Sequence, residues 1–234
     1  MTGNDMFFDI DENQLKKNKK QVHFTLPYLG TPVDWNNTNR TYIIGLNGSG
    51  KTLLLNEMRA WCDTKGYNYI SYNSVTALSQ AEWYIENATD DVIRLACKKM
   101  LEFSYDFKDD IAGWAKAKDK DEEDPELLRE VLRMCGAGYS RMFVMMAVAY
   151  SEPEADYYFL DLPETSLHLH LASKIVDFLM MHFEYTKFVV ATHSPEVVKD
   201  VWLDNGDRDY SNVIELDFDH INQENNRKWG EIFS

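Results

Sequence analysis

An α/β domain with a largely parallel sheet flanked by helices is the fold class this sequence predicts, and three observations predict it. Short apolar stretches alternate with longer helical patterns along most of the 234 residues, the rhythm of strands joined by crossover helices. One stretch runs straight into a glycine-rich octet, residues 45–52, from which a helical pattern starts. Another, Tyr157-Tyr158-Phe159-Leu160, is apolar throughout and ends on Asp161. That is the pattern of a buried parallel strand whose C-terminal end faces a ligand site.

Taken in order, residues 22–26 and 41–44 read as strands, and a helix over 51–63 follows, with Leu53, Leu54, Met58 and Trp61 on one face and Gly66 to end it. Residues 67–72 read as the next strand. A helical, polar pattern runs from Gln80 to Lys118, then an acidic connector, 118–124, that cannot bury itself. Pro125 suits the first turn of a helix reaching Met134. After Gly136-Ala137-Gly138 come an apolar helix over 140–150 and the strand at 157–160. A helix over 169–183, a strand over 188–191, a short helix from Pro195 and a last strand at 213–216 complete the reading. The whole chain, 1–234, reads as one domain with a helical subregion at about 80–135 that includes the connector.

Composition narrows the function. A net charge of −15 argues against a broad electrostatic grip on nucleic acid, and leaves a local patch or a partner as routes to it. Lys16, Lys17, Lys19 and Lys20 are the one basic cluster. Cys62, Cys97 and Cys135 form no CxxC pair, which points to a reducing compartment. No apolar run is long enough to cross a bilayer and no leader pattern opens the chain, so a soluble, cytoplasmic protein is expected.

Residues 45–52 read Gly-Leu-Asn-Gly-Ser-Gly-Lys-Thr, a match to GxxxxGK[ST] with a strand before and a helix after. In such a P-loop, glycines let successive backbone N–H groups turn inward around phosphates, and the helix start adds its positive dipole end. Asn47, Gly48, Ser49 and Gly50 form the cradle, Lys51 reaches the β- and γ-phosphates, and the Thr52 hydroxyl is a hard oxygen ligand for Mg²⁺. Asp161 supplies the carboxylate the metal needs. ATP with Mg²⁺ is the expected ligand; the NKxD motif of GTP-specific proteins is absent.

Leu160-Asp161-Leu162-Pro163-Glu164-Thr165-Ser166-Leu167-His168 resembles the Asp-Glu-Pro-Glu-x-x-Leu-His segment of AAA-type ABC ATPases. That group includes the OLD-like ATPases and is related to the SMC and RecF heads. Val189-Val190-Ala191-Thr192-His193-Ser194-Pro195 resembles its strand ending in Thr-His-Ser-Pro. The resemblance covers roughly residues 20–216 and implies an ABC-type ATPase head with His193 as the switch residue near the γ-phosphate. It also implies a signature loop that meets the nucleotide of an opposite protomer, best matched by Gly136, Gly138 and Ser140. Gln80 is either the residue that senses Mg²⁺ or a surface glutamine, and Tyr28 either an adenine-stacking ring or a core residue. The family places His168 beside the core, and with no third ligand cluster in the sequence a zinc site with His170 is not expected.

Two departures matter. Gly136 stands where the signature loop carries serine, and Leu162 stands where relatives have the glutamate that polarises water. Leucine cannot accept a proton, which removes a contribution of ~10²–10⁴-fold. Glu164 or a partner would have to supply the base, and slow hydrolysis is expected. The resemblance implies a head that homodimerises on ATP and drives or gates a separate effector, a nuclease among the candidates, in DNA-related or phage–bacterium conflict processes. A non-hydrolysing regulatory module that gates a partner is the alternative, and the nucleotide-binding subunit of a membrane transporter ranks last.

Overall fold

The computed structural model describes residues 21–26, 32–194, 196–198 and 211–216. The lysine cluster at 16–20, Tyr28 and Pro195 lie outside the described residues.

Seven strands and seven helices are described. β1 (Val22–Phe24) and β2 (Val33–Trp35) form an antiparallel pair in which Val22 faces Trp35. The remaining strands are β3 (Arg40–Gly45), β4 (Tyr69–Asn73), β5 (Tyr157–Asp161), β6 (Lys187–Thr192) and β7 (Ser211–Leu216). They form one sheet in the order β4-β5-β6-β3-β7, every neighbouring pair parallel. Helix α1 (Lys51–Lys65) follows β3. Five helices separate β4 from β5: α2 (Ala77–Asn87), α3 (Asp90–Phe103), α4 (Tyr105–Lys118), α5 (Pro125–Met134) and α6 (Ala137–Ser151). α7 (Leu169–His182) links β5 to β6. The sheet flanked by helices, with a helical insertion, is the α/β P-loop fold that the sequence predicts.

Alternation along the strands divides the core in two. Tyr42, Tyr72, Tyr158, Leu160, Phe188 and Val190 pack with α2, α3, α6 and α7. Ile43, Tyr157, Phe159, Val189 and Ala191 pack with Leu54, Leu55 and Met58 of α1 and with Trp35 of the hairpin. β5 is buried at all five positions, which explains its unbroken apolar sequence. Trp35 is fully buried, donates from Nε1 to Thr41 Oγ1 at 2.9 Å and meets the Trp61 ring edge-on.

Caps set several helix boundaries. Gly66 ends α1 at φ 73°, and the amides of Gly66 and Tyr67 return to Asp63 and Cys62. Asp124 accepts from the amides of Glu126 and Leu127, with Pro125 opening α5. The stretch expected to be helical and polar over 80–118 is three helices, because Thr89 and Ser104 cap α3 and α4. It is not polar all round: Ile85, Ile93, Ala96, Met100, Phe107 and Ile111 are buried. Residues 119–123 of the acidic connector are exposed. β2 went unread because a single Val-Asp-Trp alternation, with no apolar run around it, does not mark a strand. The helix expected from 140 starts at Ala137, since an exposed glycine turn needs no side-chain cap to begin.

Arg129 ties the insertion together. Its side chain is 9% exposed and donates to the Ile85 carbonyl, to Ala88 O at 2.9 Å and to Asp90 Oδ1 at 2.8 Å. One guanidinium on α5 thus satisfies the C-terminal end of α2 and an acid in the first turn of α3. Arg129→Ala is expected to destabilise the protein by roughly 2–3 kcal/mol, through unpaired carbonyls and lost charged hydrogen bonds. Urea unfolding should show a lower midpoint at unchanged slope.

Candidate functional site

The parallel sheet brings the C-terminal ends of β3, β4, β5 and β6 to one edge, and Asp161 lies in register with Asn73 on one side and Ala191 on the other. β6 lies between the strand that enters the P-loop and the strand that carries Asp161, so Thr192 and His193 emerge in the middle of the site.

The loop from Gly45 to Gly50 is held by glycine chemistry. A Cβ on Gly45 would lie 2.4 Å from Ser49 Oγ and 2.6 Å from Leu216 O, so no other residue fits there. Gly48 and Gly50 take left-handed backbone at φ 81° and 94°. Ser49, fully buried, donates its amide to Leu46 O at 3.1 Å. Gly50 caps α1 without a side-chain bond, leaving the first amides of that helix aimed at the loop. Lys51 Nζ donates to the carbonyls of Gly45 and Leu46 at 2.7 and 2.8 Å. Burial lowers its pKa, against the opposing pull of Asp161 and Glu164. A cavity of about 490 Å³ opens here, lined by Asn47, Gly48, Gly50, Lys51, Thr52, Leu53, Asn56 and Leu162.

Asp161 is 4% exposed. Its Oδ2 accepts from Thr52 Oγ1 at 2.9 Å and from Asn73 Nδ2 at 3.0 Å. Its Oδ1 is buried with no partner. Burial raises its pKa, partly offset by the Thr52 hydrogen bond and by Arg59 and Lys51. A hard cation fits this donor set: a hydroxyl, a carboxylate and an orphaned carboxylate oxygen whose buried charge it would neutralise.

After Asp161 the backbone reverses. Leu162 is left-handed at φ 54°, its amide continues the ladder to Ala191 O at 2.9 Å, and Thr165 N closes a turn on Leu162 O at 3.1 Å. Leu162 lines the cavity. Glu164, 4% exposed, reaches the end of β6, where Oε1 accepts from Thr192 Oγ1 at 2.7 Å and from the His193 amide at 3.0 Å. His193 Nδ1 lies 3.3 Å from the same oxygen, and Oε2 is buried without a partner.

The structure therefore gathers Asn47, Gly48, Ser49, Gly50, Lys51, Thr52, Asp161, Glu164 and His193 at one sheet edge. Of these, Ser49, Asp161, Glu164 and His193 are not among the residues lining the cavity, and neither are Gly136, Gly138 and Ser140. Gly136 is the exposed N-cap of α6, and Gly138 and Ser140 are in its first turn, where the Ser140 hydroxyl faces back to Gly136 O at 3.4 Å. Gln80 stands within α2 rather than in a loop, its Oε1 buried without a partner. The amide that meets Asp161 belongs to Asn73, because β4 runs one residue past its expected end. Asn73 Oδ1 accepts from Val75 N at 2.8 Å, which turns its NH₂ toward the carboxylate. His168 is exposed at the start of α7, not beside the core. Asn73 and Thr192 carry the features that sequence reasoning missed; a polar residue ending a strand was the one signal for each.

No family model matches the chain, and no curated protein matches it. Among solved structures, it is similar to a nucleotide-free ATP-binding cassette from an ABC transporter at 14% identity and a TM-score of 0.45, over 83% of this chain and 85% of that one. It is also similar to cbiO1 from Clostridium perfringens, part of the ABC transporter complex cbiONQ, at 13% identity and a TM-score of 0.41, over 76% of this chain and 78% of that one. Among the described residues no helix is long and apolar enough to cross a membrane.

Asp161→Asn is expected to weaken ATP binding in the presence of Mg²⁺ by at least about tenfold and to change Mg²⁺-free binding far less, since a neutral amide is a poor cation ligand. Calorimetry with and without Mg²⁺ checks this, and equal losses would assign Asp161 a purely structural role.

Proposed function

We propose that this chain is an ATP-binding ATPase head of the ABC type, with Mg²⁺ as companion ion and slow turnover. One observation carries the reading: the P-loop, the Thr52–Asp161 pair and a buried Glu164 hydrogen-bonded to Thr192 and His193 meet at a single sheet edge. The amides opening α1 and Lys51 bind the phosphates. Thr52 and Asp161 would hold Mg²⁺, which neutralises phosphate charge when bound. Asn73 takes the polar sensing role expected of Gln80. Glu164 accepts a proton from water, and the water oxygen bonds to the γ-phosphorus. The bond from that phosphorus to the bridging oxygen breaks, its electron pair leaving on ADP. His193, more exposed than Glu164, would meet the γ-phosphate.

The exposed start of α6, apart from the chain's own cavity, supports a head-to-tail homodimer in which a second copy presents Gly136, Gly138 and Ser140 to the nucleotide. The resemblance to OLD-like ATPases extends the proposal to a separate effector, a nuclease among the candidate classes, in DNA-related or phage–bacterium conflict processes within the cytoplasm. A second reading is favoured by Leu162, which lines the cavity and stands where relatives carry glutamate: a module that holds ATP without turnover and gates its partner.

Lys51→Ala is expected to abolish ATP binding by calorimetry, because the point charge on the phosphates is lost; undiminished affinity would remove the P-loop reading. Wild type is expected to hydrolyse ATP slowly, and Glu164→Gln to slow it by about 10²-fold or more. Leu162→Glu should raise the rate, by less than a well-placed base gives, because a grafted carboxylate lacks its supporting contacts. ATP-driven dimers with no turnover in wild type would favour the gating module.

A further inference from the structure

We infer that Thr192 is a positioning residue that assigns the two oxygens of Glu164 separate tasks, Oε1 to anchor the side chain and Oε2 to take the proton from water. The inference rests on the reading of Glu164 as the proton acceptor. The Thr192 hydroxyl is fully buried and its hydrogen has one strong destination. Ser194 N–H donates to Thr192 Oγ1 at 2.9 Å, occupying an acceptor position. The hydroxyl then donates to Glu164 Oε1 at 2.7 Å, while its distance to Ser194 O, 3.5 Å, is at the limit of a hydrogen bond.

The His193 amide is a second donor to Oε1, at 3.0 Å, and it cannot reverse its polarity. One O–H and one N–H donor converging on this oxygen occupy its acceptor positions and leave no space for a proton there. Oε2 is buried, has no partner and is the remaining site for a proton. Thr192 and His193 thus fix the rotation of the carboxyl group, and Thr192 does so through a side chain that substitution can change. The device also suits the shifted position of this glutamate: an acid three residues beyond Asp161 on a turn, rather than one residue beyond it, needs an anchor from another strand.

The test is a double-mutant cycle on the full chain, read as kcat and ATP affinity separately. Thr192→Val keeps the shape and removes the donor; kcat is expected to fall about ten- to hundredfold, the loss of one hydrogen bond to a charged group, with ATP affinity within about twofold. Thr192→Ser, which keeps the hydroxyl, should restore kcat to within about threefold. Thr192→Val in a Glu164→Gln background should slow turnover no further. Should the valine variant fail to fold, Thr192→Cys, smaller and with only a weak donor, takes its place. A valine or cysteine variant with wild-type kcat, or one that slows the Glu164→Gln enzyme as much as wild type, overturns the inference and leaves the Glu164 reading intact. Undiminished turnover in Glu164→Gln, or none in wild type, overturns the reading and the inference together.

Discussion

The hydrogen bond from Thr52 Oγ1 to Asp161 Oδ2 joins residues 109 positions apart, and the site exists only because the sheet holds them at 2.9 Å. Thr52 opens the helix that follows β3, Asp161 ends β5, and β6 separates those two strands. Their distance is therefore set by two parallel registers, Ile43 opposite Ala191 and Ala191 opposite Asp161. A slip of one residue in either would turn the side chains of β5 to the opposite faces and carry Asp161 away from Thr52. The alternating aromatic and branched residues of β3, β5 and β6 resist such a slip, because each face packs against a different set of helices. Long-range packing thus fixes a contact that local structure could not.

Leu162 shows what the site costs. A leucine at φ 54° is strained by about 1–2 kcal/mol, and no glycine relieves it. The ladder bond to Ala191 and the closed turn at Thr165 hold it there. The reversal sends Glu164 back toward β6, into contact with Thr192 and His193. The strained residue and the displaced glutamate are two parts of one geometry.

Much of this was legible in the sequence, for reasons that differ by element. The P-loop was readable because each residue type there answers a local demand: Gly45 has no room for a Cβ, Gly48 and Gly50 have positive φ, and Lys51 opens a helix. Asp161 was readable because a fully buried strand ends in a charge. Asn73 was not, since its importance comes from β4 lying beside β5, and sheet order is not written in any local pattern. Gln80 looked suitable by spacing and fell inside α2, because the turn at 74–76 is too short to hold it in a loop. Thr192 was visible within a motif, yet its role depends on a glutamate 28 residues away bending back to it.

Helix α6 connects the two faces of the proposed dimer. Its first turn begins at the exposed Gly136, the part that a second copy would meet. Gly138 lies so close to the Glu164 turn that a Cβ there would stand 3.3 Å from Ser166 O. One turn further, Arg141 donates to Ser74 O at 3.2 Å, and the Ser74 amide donates to Asp161 O at 3.1 Å. The start of α6 thus touches the loop of one acid and, through Ser74, the backbone of the other. Packed interiors transmit small displacements rather than absorbing them. A contact made at Gly136 by a neighbouring nucleotide would then bear on both acids of this chain's own site, and the glycine at 138 is what allows the helix to lie close enough to do so.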